Sequence, residues 1–188
     1  MRNEKTNIGD TCSATIDRGA SYEESMSLHG TYRIVCYDAS GVLKWSDVIG
    51  NLVTTVGKNS TMDTMLGNVA VGAVVMGLKG TGTAVVADTQ ASHASWLEVG
   101  LANAPTYSGT RKTPVFSAAS AGVKATSTPV VFTMTGSGTI AGCFINLGGS
   151  ATIDNTTGVL FSAGDFTAGS KTVTSGDTLS CSYSATAA

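Results

Sequence analysis

The clearest alternation in this chain runs from Thr128 to Leu147. In its first half Val130, Phe132 and Met134 point one way while Thr133 and Thr135 point the other, the period of two of a half-buried strand. Gly136-Ser137-Gly138 then offers the positive φ values of a three-residue hairpin loop. Thr139 to Leu147 is apolar or small on both faces, as a strand covered on both sides would be. The pattern predicts a central hairpin with one wetted and one covered strand. Covering the second strand requires another layer, so the chain reads as a β-sandwich or barrel.

The same reading extends in both directions. Thr31 to Tyr37 is a strand, Asp38-Ala39-Ser40-Gly41 is a turn, and Val42 to Ile49 returns with Leu43, Trp45 and Ile49 on one face. Asn51 to Val56 continues extended and stops at Gly57. Ser60 to Gly67 is the one helix expected, with Ser60 as its cap, Asp63 three residues on and Gly67 closing it. Val69 to Leu78 reads as a buried strand, Lys79 to Thr83 as a glycine-rich turn, and Ala87 to Ala94 as a helical turn. With Ser95–Leu101, Val115–Ala118, Gly158–Phe161 and Asp177–Tyr183 the total comes to about ten short strands, with turn signals at the spacing of a sandwich or jelly roll. The fold class is therefore all-β, a jelly-roll-like sandwich. Phe132, Phe144, Ile140, Trp45 and Leu179 are expected to be nearly inaccessible in its core.

The first 29 residues differ in kind. Arg2, Glu4, Lys5, Asp10, Asp17, Arg18, Glu23 and Glu24 crowd a stretch with little apolar periodicity. Fixing a residue's backbone costs about 1–2 kcal/mol, which so little apolar surface cannot offset. Residues 1–29 are thus expected to be an extended arm that orders only on a partner surface, and 30–188 the sandwich domain. Arg2, Lys5 and Arg18 are the candidates to meet acidic groups of that partner.

Composition narrows the function more than it names one. Among 188 residues, 42% are hydrophobic and only 13% charged, where about 25% is usual. Low charge leaves surface available for dry contact with other protein. A net charge of −2, with no basic stripe, argues against a nucleic-acid partner. The apolar run Val69–Leu78 is too short for a bilayer, which takes roughly 20 residues. Met1-Arg2-Asn3-Glu4-Lys5 lacks the apolar core of a signal peptide, so synthesis and assembly in a cytosol are expected. Cys12, Cys36, Cys143 and Cys181 are widely spaced with no CxxC pair, and free thiols are expected rather than disulfides or a metal site.

No constellation points firmly to catalysis. Gly80-Thr81-Gly82-Thr83-Ala84-Val85 follows a strand like a dinucleotide fingerprint, but Val85 stands at the third glycine position and no amphipathic helix follows. It reads as a loop. Asp88, Ser92, His93 and Ser95 suggest a hydrolase only by proximity, without a nucleophile elbow, and a locally bonded loop histidine is the simpler reading. Asp154, Asn155, Asp165 and Asp177 carry oxygen ligands without the ordered spacing of a calcium loop. Trp45, Trp96, Tyr32, Tyr37, Tyr107 and Tyr183 could stack on a sugar, although aromatics in a sandwich of this size more often build the core. No catalytic, cofactor-binding or metal residue is assigned.

The order of several short runs does carry a resemblance. Gly30-Thr31-Tyr32-Arg33, Cys36-Tyr37-Asp38 with Gly41, Lys44-Trp45 and Asn51 through Asn59 are followed by Met76-Gly77-Leu78, Ala87 through His93, Trp96 and Glu98. Phe116 through Ser120, Gly142-Cys143-Phe144, Leu160 through Phe166 and Ser175 through Leu179 complete the series. Together they resemble a family of tailed-bacteriophage virion proteins over about residues 30 to 184. The resemblance implies a non-enzymatic virion component, a capsid decoration (cement) protein binding the major capsid protein lattice and further copies of itself as a dimer or trimer. It transfers no catalytic residue. The alternative is a tail fibre or tail-tip protein with a receptor- or carbohydrate-binding role, although the coiled-coil or low-complexity shaft usual in fibres is missing from this sequence.

Overall fold

The computed structural model describes residues 26–188 except Asn68 and Val71. The expected arm residues Arg2, Lys5 and Arg18, together with Cys12, lie outside the described residues.

Among the described residues, twelve strands and one helix follow in order: β1 (Leu28–Tyr37), β2 (Leu43–Gly50), β3 (Leu52–Val53), α1 (Thr55–Met65), β4 (Val74–Lys79), β5 (Glu98–Val99), β6 (Val123–Ala125), β7 (Val130–Thr133), β8 (Gly138–Ile140), β9 (Gly142–Leu147), β10 (Val159–Asp165), β11 (Lys171–Val173) and β12 (Thr178–Ala187). The first sheet runs β2-β1-β12-β6, with β7 also on β12; the second runs β3-β10-β9-β4-β5; β8 and β11 form a separate pair. All pairings are antiparallel. The all-β sandwich read from the alternation is the fold.

Strands β1 and β12 zip along their whole lengths, from Leu28 opposite Ala187 to Tyr37 opposite Thr178. The sheet therefore starts at Leu28, two residues inside the stretch expected to be arm. The β1–β2 turn forms as its sequence dictates. The Asp38 carboxylate accepts from the Ser40 and Val42 amides at 2.8 and 2.9 Å, and Gly41 takes φ +81°.

The core lies between the sheets. Tyr32, Ile34, Cys36, Phe132, Leu179 and Cys181 of the first sheet meet Met76, Leu78, Cys143 and Ile145 of the second, all at most 1% exposed. Strand β9 is buried on both faces, as its composition predicts. Cys143 and Ile145 point into the sandwich, while Phe144 joins Trp96, Leu160, Ala84 and Ala163 in a smaller cluster on the outer side. Phe132, Phe144, Ile140 and Leu179 are fully buried as expected. Trp45 is only half-buried, its ring edge-on to Phe166, and Leu43 is 57% exposed, because β2 is the rim of its sheet.

Several expectations are corrected. The Thr128–Leu147 stretch is not a hairpin: β7 pairs with β12 in the first sheet and β9 with β4 and β10 in the second. The amides of Thr135 and Gly136 bond to the Thr106 carbonyl instead of to a partner strand, and the chain crosses from one layer to the other there. The helix begins at Thr55, not Ser60, because the Thr54 hydroxyl accepts from the Gly57 amide at 3.0 Å and caps it. That leaves β3 only two residues long. The strand expected from Val69 starts at Val74, Ser95–Leu101 reduces to Glu98–Val99, and Val115–Ala118 keeps a single bridge, Phe116 to Thr126. Ala87–Ala94 is loop rather than a helical turn.

Candidate functional site

Alternation along β4, β5 and β9 sends Lys79, Glu98, Phe144 and Asn146 to the outer side of the second sheet, away from the core. The loops 80–97 and 148–157 close over this side. Glu98 is 3% exposed, Arg111 2%, Lys79 0% and Asn146 0%, so charged groups are sealed there and each must be answered by a partner.

The answer for Glu98 is a two-pronged bond. Arg111 donates from Nε to Glu98 Oε1 at 2.8 Å and from Nη2 to Oε2 at 2.6 Å. Its remaining donors reach the Ser150 carbonyl at 3.0 Å and the Asn155 carbonyl at 2.7 Å, and the Asp154 amide donates to Glu98 Oε2 at 2.9 Å. The guanidinium lies 5.4 Å from the Phe144 ring centroid. One buried ion pair thus ties three separate segments together: β5, the chain around Arg111, and the loop 150–155. Asp154, at φ +62°, is held in the left-handed region at the apex of that loop. Asn146 Nδ2 adds bonds to Gln90 Oε1 at 2.8 Å and to the Thr157 carbonyl.

Lys79 is answered by Asp165 at 2.5 Å and by the carbonyls of Gly80 and Gly82. The glycine run read as a loop is that loop. At φ +105°, Gly82 presses against the Ser95 carbonyl, where a Cβ would sit 1.8 Å from the oxygen, so only glycine fits. Beneath it Asp88 accepts from the Trp96 indole and the Val85 amide, both at 2.9 Å.

An open cleft of about 360 Å³ remains between the two loops, bordered by Gln90–Ala94, Leu97, Asn103 and Asp154–Thr156. The residues suggestive of a hydrolase meet here without forming one. His93 Nδ1 bonds the Trp96 carbonyl at 2.9 Å and its ring stacks on Trp96 at 4.0 Å. Asp88 serves Trp96, and Ser95 donates to the Thr83 carbonyl. No hydrogen bond links the Asp, His and Ser to one another, so the arrangement does not activate a nucleophile. The oxygen-bearing residues are also dispersed. Asp154 accepts from the Ala102 amide, Asp165 pairs with Lys79, and Asp177 pairs with Lys44 at 2.5 Å. Four of the six aromatics build core, Tyr32 against Tyr183, Tyr107 against Phe132 and Trp96 against Phe144, whereas Trp45 is half-buried and Tyr37 exposed.

Ionisable groups follow their surroundings. Burial pushes the Tyr107 hydroxyl well up, with the Glu98 carboxylate adding to it. The Cys36 thiol is pushed up to about 11 by burial and by Asp177. Burial alone would raise Asp177, but the Lys44 ammonium and the Thr174 amide and hydroxyl outweigh it and hold that carboxyl below its ordinary value.

The other prominent surface is the outer face of the first sheet. Cross-strand positions there carry Thr31, Arg33 and Val35 of β1, Ser46 and Val48 of β2, Ser180, Ser182 and Ser184 of β12, and Val131 and Thr133 of β7. Arg33 is the one charge in that group, and Val48 and Val131 are 56% and 50% exposed. The sequence's low charge is deepened by the fold. Ion pairs absorb Lys44, Asp47, Lys79, Glu98, Arg111, Asp165, Lys171 and Asp177. Sequence reasoning missed Arg111 entirely and had no reason to bury Lys79. Lys79 closes an apolar strand and Arg111 stands in a polar loop, and neither position names a buried partner. No family model matches the chain, and neither a curated protein nor a solved structure does.

Proposed function

We propose that this chain is a non-catalytic structural protein of a tailed-bacteriophage virion, a capsid decoration protein that binds the major capsid protein lattice together with further copies of itself. The resemblance of its ordered short runs to that family supports the reading. The observation that carries it furthest is the broad outer face of the first sheet, formed of Ser, Thr and Val with Arg33 as its charge. Such a face loses little charge hydration when another protein covers it. The expected arm, with Arg2, Lys5 and Arg18, supplies the cations that would meet acidic shell groups. Low net charge suits close packing of many copies.

The test uses full-length protein and purified empty capsids, with occupancy read by gel densitometry. Wild type should saturate the shell, and Val48→Lys with Val131→Lys should abolish decoration while leaving the thermal unfolding of the free protein unchanged. Wild type that never binds capsids but co-purifies with tails would replace this reading with a tail-associated one.

A further inference from the structure

The cleft over the second sheet, about 360 Å³, is bordered by polar side chains that are each fixed at one end and open at the other. His93 Nδ1 meets the Trp96 carbonyl at 2.9 Å, a contact that needs the proton on Nδ1, so in the neutral ring Nε2 is left as an acceptor. Asn103 donates from Nδ2 to the Glu98 carbonyl at 2.9 Å and keeps Oδ1 as an acceptor. Asn155 Oδ1 takes the amide and hydroxyl of Thr157, so its Nδ2 is the end that remains to donate. Asp154 Oδ2 takes the Ala102 amide at 3.2 Å and leaves Oδ1. Acceptors and a donor thus stand around one hollow with their rotamers already set, and a ligand meets them with little further ordering. Beside them is an apolar wall. Trp96 backs one face of the His93 ring, the planes 19° from parallel, and His93 and Leu97, the latter 59% exposed, both border the cleft.

This inventory selects a ligand class. Among the described residues the lining holds no lysine or arginine, since Lys79 and Arg111 are committed to Asp165 and Glu98, while Asp154 brings a negative charge. Phosphates and carboxylates are therefore disfavoured. A purely apolar ligand would strip water from Asp154, Asn103 and Asn155 and return no hydrogen bond. A hexopyranose ring supplies both needs. Its hydroxyls donate to one neighbour and accept from another, and its C–H faces lie well against an imidazole and an aliphatic side chain. The volume stands at the small end of ligand sites, suited to a sugar unit rather than a long chain. We propose that this cleft binds an uncharged saccharide unit, Asp154 and Asn103 accepting from its hydroxyls, Asn155 donating to them, and its ring resting on His93 and Leu97. The cleft lies on the outer side of the second sheet, across the sandwich from the face proposed to meet a shell. The inference stands apart from the virion reading, and the two faces can be tested separately.

Saturation-transfer NMR of the full-length protein with the methyl glycosides of glucose, galactose, mannose and N-acetylglucosamine tests it, with acetylalanine methylamide as a peptide probe. At least one glycoside should bind, and the peptide probe should not. Asp154→Asn is isosteric and suits the left-handed φ of +62°, and it should weaken that glycoside at least about tenfold, the effect of one hydrogen bond to a charged group. His93→Ala, which removes the ring, should weaken it similarly, and the urea midpoint of each variant reports that the fold persists. Val48→Lys with Val131→Lys, on the opposite sheet, should bind the glycoside as wild type does, so that a failure here is distinct from a failure to decorate capsids. Transfer to none of the glycosides, or an affinity unchanged in either folded cleft variant, would overturn the proposal. Binding of the peptide probe in place of the sugars would make the cleft a peptide site and overturn it too.

Discussion

Replacing Arg111 by methionine removes the cation that answers Glu98. The methionine fills much of the same volume over Phe144, so the loss is mainly of charge and hydrogen bonds rather than of packing. It strands a carboxylate that is 3% exposed, with only the Asp154 amide still donating to it, and strips donors from the Ser150 and Asn155 carbonyls. Breaking a buried pair on one side costs about 3–5 kcal/mol, because the surviving charge keeps its desolvation penalty without its partner. For a domain of this size that lowers Tm by about 6–20 °C. Urea unfolding followed by tryptophan fluorescence measures it, with the slope unchanged if the same surface is exposed. Arg111→Lys should fall between, keeping the charge but losing the two-pronged geometry. Glu98→Gln in the Arg111→Met background should recover part of the loss, since the stranded charge is then gone. A cost below about 1 kcal/mol for Arg111→Met, or no recovery in the double variant, would refute the buried-pair account.

Other outcomes follow from the same geometry. Phe144→Ala should cost about 3–5 kcal/mol, the range for an aromatic removed from a sealed cluster; a urea midpoint near wild type would mean that the outer side of β9 is not covered. Asp177 is depressed in the folded state, so its contribution is complete above its unfolded value near 4 and is lost as pH falls through the folded value. Asp177→Asn should therefore be less stable at pH 7 yet lose less stability between about pH 5 and 2, read from unfolding midpoints. Cys36, Cys143 and Cys181 are buried and free, and Cys36 is pushed up to about 11, so these thiols should resist iodoacetamide at pH 8 in the native protein. Denaturation without reductant should expose four reactive thiols per chain, Cys12 included.

What was legible in the sequence was local. Period-two alternation placed Val130, Phe132 and Met134 on the buried face. Of the run Thr139–Leu147, read as one strand covered on both sides, Gly142–Leu147 is so covered, while Thr139 lies exposed on β8, which pairs with β11. The Asp38–Gly41 turn was legible because its bonds close within four residues. Pairing was not. Two strands joined by Gly136-Ser137-Gly138 look like a hairpin in any window, yet β7 finds its partner in β12, well over 40 residues later. Nothing local records that the Thr106 carbonyl takes the amides of Thr135 and Gly136. The helix start failed for a smaller reason: Thr54 and Ser60 are both good caps, and Thr54 wins because its hydroxyl also donates to the Leu160 carbonyl of β10. The buried charges were the deepest omission. Lys79, Glu98 and Arg111 carry no mark of burial, since only the two loops crossing above them exclude water.

The proposal that this chain coats a capsid is tested most directly by its copy number per virion. Quantitative mass spectrometry of purified virions, normalised to the major capsid protein, should return hundreds of copies at a fixed ratio to the shell subunits. A count of roughly three to twelve, the number expected of a ring or a set of fibres on the tail axis, would contradict it.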